Sequence, residues 1–158
     1  AAPADRFARK VKDVNEFLAA IGPTPPGREF PATVTYQDSC HLTHGQKLPL
    51  PPRRLLAMVP GLTFTEMPFA DHCCGSAGIY NVQHTEMSMA LLEKKMGNAN
   101  GTHAEIIASS NPGCLLQLQA GVRMHGHGQR VLHVMEVLDE AYGDRKKVPP
   151  GRKNATGS

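Results

Sequence analysis

The 158-residue sequence predicts an α/β domain with a small, mostly parallel sheet of about four strands flanked by helices. Two observations lead to this class. A β-rich run, a loop and a helix recur about four times along the chain, a pattern typical of parallel sheets built with right-handed crossovers. Cysteines follow the first three of these runs, and ligands bind in the loops beyond the carboxyl ends of parallel strands.

The chain is predicted to contain three segments. Residues 1–31 comprise an amphipathic helix, Asp5–Ile21, and a Pro/Gly-rich linker. Residues 32–143 form the cysteine-bearing domain, and residues 144–158 form a flexible basic tail. The helix is indicated by apolar side chains that recur on one stripe, with charged side chains on the other. Prolines and glycines at 22–27 end it.

Within the domain, strands are indicated by runs rich in β-branched and apolar residues. These runs are Ala32–Gln37, Leu62–Glu66, His103–Ser109 and Val131–Val134. The predicted helices are Arg53–Met58, Thr85–Met96, Leu115–Met124 and Met135–Tyr142. Pro49–Pro52 introduces the first of these helices, since proline is tolerated at a helix start. Lys94 and Lys95 fall in the last turns of the second, where positive charge suits a helix C-terminus.

Composition and charge restrict the class of protein. The chain carries four cysteines and a formal charge of +3. No run approaches the ~18–20 apolar residues of a membrane-spanning helix, and no charged-then-apolar leader opens the chain. We therefore expect a cytoplasmic protein, in which thiols stay reduced and clustered cysteines bind metal or perform redox chemistry. The excess positive charge lies largely in Arg145–Lys153 without interleaved aromatic residues, so no nucleic-acid partner is expected.

Cys73 and Cys74 are adjacent and are followed by glycine, within the stretch Asp71–Asn81. In an extended chain neighbouring side chains point to opposite faces, so aiming both sulfurs at one ligand requires a sharp turn. Gly75 and Gly78 allow that turn, because glycine adopts positive φ without steric penalty. The pair is poorly suited to a disulfide, since its Cα atoms lie ~3.8 Å apart, below the usual ~4.4–6.8 Å.

Cys40, Cys73, Cys74 and Cys114 together form a candidate four-thiolate metal site, because the predicted sheet brings their loops to one rim. Four thiolates suit an iron–sulfur cluster or a structural zinc. A third use is a reactive thiol at Cys114, just ahead of a helix whose amides favour thiolate. The chain has no Cys-x-x-Cys knuckle, and Gln117 occupies the position where one would end. Spacing alone favours a cluster over zinc and leaves thiol chemistry and buried structural cysteines open.

Several residues near these cysteines are predicted to tune such a centre. His44, His72 and His133 are placed at the same rim, where an imidazole can donate a hydrogen bond to sulfur and raise a cluster's potential. The plainer alternative is a loop histidine that contacts solvent or backbone. Gly75 opens a Gly-Ser-Ala-Gly stretch whose backbone amides are expected to point at cluster sulfur.

These motifs together resemble the CCG, or cysteine-rich, domain family. The matching stretches are Cys40–Leu48 (Cys-His-Leu-Thr-His-Gly-Gln-Lys-Leu), Cys73–Tyr80 (Cys-Cys-Gly-Ser-Ala-Gly-Ile-Tyr), Asn111–Cys114 (Asn-Pro-Gly-Cys) and His133 ahead of a Val-Met-Glu-Val-Leu helix. The resemblance covers about Val11 to Tyr142 and is strongest to the C-terminal CCG domain of the glycolate oxidase iron–sulfur subunit. Related domains occur in one of the subunits of heterodisulfide reductase and in lactate-utilisation iron–sulfur proteins.

The resemblance implies an electron-transfer domain of a 2-hydroxy-acid dehydrogenase. Electrons would leave the substrate on a separate flavin subunit and pass through iron–sulfur centres to a quinone or similar acceptor. The expected partners are that flavin subunit and the rest of a longer iron–sulfur subunit, of which residues 1–31 would be an interdomain segment. The domain alone would not be catalytic. Its location would be cytoplasmic, either free or peripheral to the inner face of the membrane through partners.

One departure from the family concerns the cluster type. Many CCG motifs end in Cys-x-x-Cys and use five cysteines, which in heterodisulfide reductase hold a non-cubane cluster. Gln117 replaces the fifth cysteine here, so four thiolates would hold an ordinary [4Fe–4S] cluster or, alternatively, zinc. The competing function is a non-redox zinc-binding or scaffold module that docks the flavin subunit.

Overall fold

The computed structural model describes residues 2–143, and the predicted basic tail at 144–158 lies outside the described residues. The strands are β1 (Ala32–Gln37), β2 (Leu62–Phe64), β3 (Ile106–Ser109) and β4 (Arg130–His133). The helices are α1 (Ala2–Ala8), α2 (Val14–Ile21), α3 (Leu50–Ala57), α4 (Tyr80–Gln83), α5 (Thr85–Asn100), α6 (Pro112–His125) and α7 (Val134–Tyr142). A π-helical turn, His41–Gln46, follows β1.

The four strands form one sheet in the order β2-β1-β3-β4, and every neighbouring pair is parallel. This confirms the predicted fold class. Gln37, Ser109 and His133 are register partners in turn, so β1, β3 and β4 end at one level. The chain runs outward from β1 to β2 and outward again from β3 to β4, which makes the β1/β3 boundary the topological switch point.

Helices cover both faces of the sheet and create two apolar cores. Val34, Tyr36 and Ile106 face the layer that contains α3 and α7. Ile107 faces the opposite layer, where Leu92 of α5 and Leu118 of α6 are fully buried. This alternation along β3 is the two-residue period of a strand buried on both sides.

The N-terminal helix prediction is wrong at its centre: the expected single helix Asp5–Ile21 is two helices, α1 and α2. Asp13 accounts for the break. Its backbone is extended at ψ 146°, and its carboxylate accepts a hydrogen bond from the Asn15 amide at 2.8 Å. An extended N-cap begins a new helix and cannot continue an old one. None of the helices within residues 2–143 combines the length and apolar character needed to traverse a bilayer.

Several other element boundaries also differ from the predictions. The strand expected over His103–Ser109 begins at Ile106, and the helix expected to end at Met96 continues to Asn100 through Gly97. The helix expected from Leu115 begins at Pro112, because Asn111 caps it and Pro112 occupies its first position. The predicted strand Leu62–Glu66 ends at Phe64.

The segment after β2 continues along the edge of β1 and carries the vicinal cysteines to the rim. The Thr65 amide donates to the Val34 carbonyl at 2.9 Å, and the Asp38 amide donates to the Ala70 carbonyl at 3.1 Å. Ala70 therefore lies level with the residue that follows β1. Cys73 comes three residues later, just after His72, whose carbonyl accepts from Gln37 at the end of β1.

Arg53 of α3 fixes the residue that leads into Cys40. Its guanidinium binds both carboxylate oxygens of buried Asp38, at 2.8 and 3.0 Å, and both oxygens of Glu66. It also lies over the Tyr36 ring at 5.2 Å. This fork joins β1, α3 and the segment after β2 at the base of the cysteine loops.

We expect Arg53→Met to destabilise the protein by about 3 kcal/mol, because the substitution leaves the Asp38 carboxylate buried without its partner. Urea unfolding followed by circular dichroism measures this loss. Lys12, whose ion pair with Glu16 is exposed, provides the control: Lys12→Met should change stability by less than about 0.5 kcal/mol. Equal effects of the two substitutions would contradict the account of Arg53.

Candidate metal centre

The three cysteine segments meet at the carboxyl rim of the sheet. The Cys40 thiol is close enough to Cys73, and the Cys74 thiol close enough to Cys114, for the members of each pair to shift one another's ionisation. Each pair also interacts electrostatically with members of the other. All four are free thiols. The structure thus places the four side chains that the sequence singled out near one another, and their role as ligands of one metal centre stays a prediction.

Cys40 is presented by a tight π-helical turn that the sequence did not predict. The turn is anchored by buried Leu42, whose carbonyl accepts from the Leu48 amide at 2.8 Å. Lys47 ends the turn in the left-handed region, at φ 62°. His44 in the same turn lies 3.2 Å from the Asp71 carbonyl through Nε2, which links the Cys40 segment to the vicinal cysteines. Cys40 itself is the exposed member of the set.

The Cys-Cys-Gly turn has the backbone geometry expected from its glycines, since Gly75 has φ 93° and Gly78 has φ 63°. The Gly75 amide donates to the Cys73 sulfur at 3.3 Å, and the Ser76 amide donates to the Cys74 sulfur. The Ser76 amide favours the thiolate form of Cys74 and lowers its pKa. A Cβ at Gly75 would lie 2.4 Å from the Ser88 carbonyl oxygen, so the turn packs directly against the start of α5.

A short buried network holds this turn in place. Ser88 donates from Oγ to the Gly75 carbonyl at 2.9 Å, and Gln117 donates from Nε2 to Ser88 Oγ at 3.0 Å. The Gln117 carbonyl oxygen accepts from Asn81 at 3.4 Å. Gln117, at the position of the absent fifth cysteine, therefore braces the turn from α6. The sequence shows that glutamine occupies this position, but no sequence pattern predicts its hydrogen bonds to Ser88 and Asn81.

Cys114 lies inside the first turn of α6, not just ahead of that helix as the sequence predicted. Asn111 caps the helix and accepts from the Cys114 amide through Oδ1 at 3.1 Å. A Cβ at Gly113 would lie 3.0 Å from Ser76 Oγ, which shows how closely the start of α6 approaches the Cys-Cys-Gly turn.

The pKa shifts of Cys40, Cys74 and Cys114 show why these thiols suit metal. A hydrogen bond with Cys114 lowers the pKa of Cys74 to about 6, against the opposing effect of burial. The same hydrogen bond, with burial, raises the pKa of Cys114. Burial and then the neighbouring cysteines raise the pKa of Cys40. The pocket thus ionises one thiol readily and resists the next, so four thiolates require added positive charge, which metal ions supply.

The candidate donor set consists of four cysteine sulfurs, which is the chemistry of iron–sulfur or zinc centres. Among residues 2–143, no three cysteine, histidine or acidic side chains already surround a point that fits one metal ion. Four thiolates suit a structural zinc ion and an iron–sulfur cluster alike, so the chemistry of the donor set fits either group.

The predicted histidines occupy different surroundings. His72 is exposed, packs against the Phe69 ring at 4.9 Å, and shares a cavity with Cys73. His133 caps α7: its Nδ1 accepts from the Met135 amide at 3.1 Å, while its own amide donates to Glu136. That leaves Nε2 of His133 as the nitrogen that carries the proton in the neutral ring. A tuning role for His44, His72 or His133 stays a prediction.

A family model described as "CCG: Cysteine-rich domain" matches residues 34–119, just over half of the chain. The chain belongs to the CCG family. The match begins in β1, runs through all four cysteines and ends in α6, so the matched region coincides with the site described above.

Three relatives of this CCG chain illustrate the range of proteins that carry the domain. It is 43% identical over 143 residues to the "Probable glycolate oxidase iron-sulfur subunit" of Bacillus subtilis. It is 32% identical over 138 residues to "Lactate utilization protein A" of Oceanobacillus iheyensis, and 34% identical over 135 residues to a subunit of the "Fumarate reductase (CoM/CoB)" of Methanothermobacter marburgensis. These matches cover 88%, 87% and 85% of this chain, but 32%, 57% and 28% of the respective relatives.

Proposed function

We propose that this CCG domain binds a [4Fe–4S] cluster through Cys40, Cys73, Cys74 and Cys114 and relays single electrons within a glycolate-oxidase-like complex. The observation that carries the proposal is the convergence of these thiols from three separate loops at the topological switch point. The names of two relatives support a role within such an oxidoreductase complex: one is a probable glycolate oxidase iron–sulfur subunit and the other is a lactate utilization protein.

The chain's own residues hold the site and shape its electrostatics. When bound, an iron–sulfur cluster accepts one electron and gives one electron back. The Gly75 and Ser76 amides donate to the sulfurs of the vicinal cysteines, which offsets their negative charge. Cys74 and Cys114 are buried at 1% and 7% exposure, whereas Cys40 is exposed. The Cys40 side is therefore where a redox partner can approach closely, and no bond to substrate is made or broken here.

The wider assembly follows from the same proposal. A flavin subunit would take two electrons and two protons from a 2-hydroxy acid, which becomes a 2-oxo acid. This domain would then pass the electrons singly towards a quinone or similar acceptor. Residues 1–31 would join the domain, residues 32–143, to the rest of its iron–sulfur subunit. The complex would be cytoplasmic and peripheral to the inner face of the membrane through its partners.

Anaerobic reconstitution of the chain with iron and sulfide tests this function. We expect about four irons and four labile sulfides per chain, and an EPR signal after reduction. The non-redox alternative predicts tight binding of one zinc ion, no retained sulfide and no EPR signal. That second result would overturn the electron-relay proposal and leave the chain as a zinc-bound or metal-free scaffold that docks the flavin subunit.

A further inference from the structure

Lys95 is a buried lysine near the vicinal cysteines that the relay described above does not use. It is 1% exposed, whereas Lys94, its neighbour on α5, is exposed. Nζ of Lys95 donates to the carbonyl oxygens of Phe69 at 2.6 Å and Ala70 at 3.2 Å. These carbonyls belong to the segment that leads into Cys73, so Lys95 lies against the cysteine turn from the α5 side.

Lys95 and Cys73 line the same cavity. Lys94, Lys95, His72 and Cys73 line a space of about 240 Å³, together with Leu91 and Asn98. An ammonium has three N–H donors, and the two carbonyls account for two of them. The charge of Lys95 is thus held at a fixed place beside the proposed cluster site.

The burial of Lys95 is not explained by a direct ion pair. Across residues 2–143, no ion pair includes its Nζ. A buried cation is costly unless hydrogen-bond acceptors and nearby negative charge compensate it. Burial lowers the pKa of Lys95, and the groups that oppose this change are Cys74 first, then Asp71, Asp38 and Cys73. The vicinal cysteines are therefore among the groups that favour the charged form of this lysine.

We propose that Lys95 is the fixed positive charge that compensates the anionic four-thiolate centre and raises the reduction potential of its cluster. This inference rests on the proposed function. Adding an electron makes the centre more negative, and a buried cation stabilises that state strongly because the surroundings screen it weakly. Lys95 acts through the field at the cluster and is a positioning residue that ligates nothing.

Two neutral variants separate the charge of Lys95 from its other properties. Lys95→Gln keeps an N–H donor for the carbonyls, and Lys95→Met keeps the length of the side chain. Lys94→Met is the matched control, since it removes the same charge from an exposed neighbour that lines the same cavity. Lys95→Arg retains the positive charge. Each is reconstituted anaerobically in the full chain and titrated by EPR-monitored potentiometry at low and high salt.

We expect each neutral Lys95 variant to bind a full cluster at a lower potential. The ratio of reduced to oxidised cluster at fixed applied potential should fall at least tenfold, which is ~59 mV for a one-electron couple. The shift should persist at ~1 M salt, because a buried charge is poorly screened. Lys94→Met should give a smaller shift that disappears at high salt, and Lys95→Arg should restore the wild-type potential within about threefold in the same ratio.

An unchanged potential in Lys95→Gln or Lys95→Met would overturn the proposal. So would failure of both neutral variants to fold while Lys95→Arg folds, because the charge would then serve the fold and not the cluster. Apo-protein circular dichroism and urea unfolding report folding independently of the cluster. Absence of iron and sulfide from the wild-type chain would overturn the proposed function itself, and this is seen before any variant is compared.

Discussion

Cys74→Ser is expected to abolish cluster binding, with iron content after anaerobic reconstitution falling from about four per chain to near zero. Cys74 is the most buried of the four thiols, and its hydrogen bond with Cys114 lowers its pKa to about 6. It therefore forms readily the thiolate that binds iron. A serine hydroxyl keeps the shape of the thiol but ionises far less readily and is a harder ligand than iron–sulfur centres prefer.

Two measurements make this result specific to the site. The free energy of unfolding of apo Cys74→Ser should lie within about 1–2 kcal/mol of the wild-type value, because the hydroxyl can still hydrogen-bond with Cys114. Ser88→Ala, which changes a buried hydroxyl that braces the turn without touching a sulfur, should retain most of its iron. Full iron and sulfide in Cys74→Ser would show that the cluster binds elsewhere or without this thiol.

Gly75→Ala is expected to destabilise the protein by about 2–5 kcal/mol. The left-handed backbone at φ 93° adds ~1–2 kcal/mol for a residue with a Cβ. The new methyl group would lie 2.4 Å from the Ser88 carbonyl oxygen and 3.0 Å from Ser88 Oγ, an overpacking that adds ~1–3 kcal/mol. Because domains are stable by only ~5–15 kcal/mol, this is a large fraction of the total.

Gly78→Ala is the matched control for Gly75→Ala. Gly78 also has positive φ, at 63°, but a Cβ there would meet nothing within 4 Å. Its expected effect is therefore the backbone contribution alone, ~1 kcal/mol. Urea unfolding of the two apo variants gives both values. If Gly78→Ala proved as destabilising as Gly75→Ala, the close contact with α5 would not explain the need for glycine at position 75.

Local sequence predicts the structure correctly where a single residue pattern determines it. The consecutive β-favouring residues of Ala32–Gln37 predict β1 with its observed bounds. The recurrence of strand and helix predicts the parallel sheet, and that topology alone predicts that the cysteine loops meet at one rim. The positive φ angles of Gly75 and Gly78 could be predicted because glycine is the residue type that adopts them without steric penalty.

The parts that the sequence does not predict depend on contacts between distant segments. The sequence places Lys95 in the last turns of a helix, but α5 continues to Asn100 and turns that lysine towards the Phe69 and Ala70 carbonyls. The bracing of Gly75 by Ser88 and Gln117 joins three segments with no shared motif. Each of these features is a polar group satisfied by tertiary packing, which no local pattern encodes.

The most direct test of the shared cysteine centre is a crystal structure of the anaerobically reconstituted chain, with anomalous data collected at the iron edge. We expect iron peaks at the carboxyl rim, within bonding distance of all four cysteine sulfurs and next to the Lys95 side of the turn. Iron bound away from this rim, or a cysteine of the set turned from the iron and too far to bind it, would contradict the account.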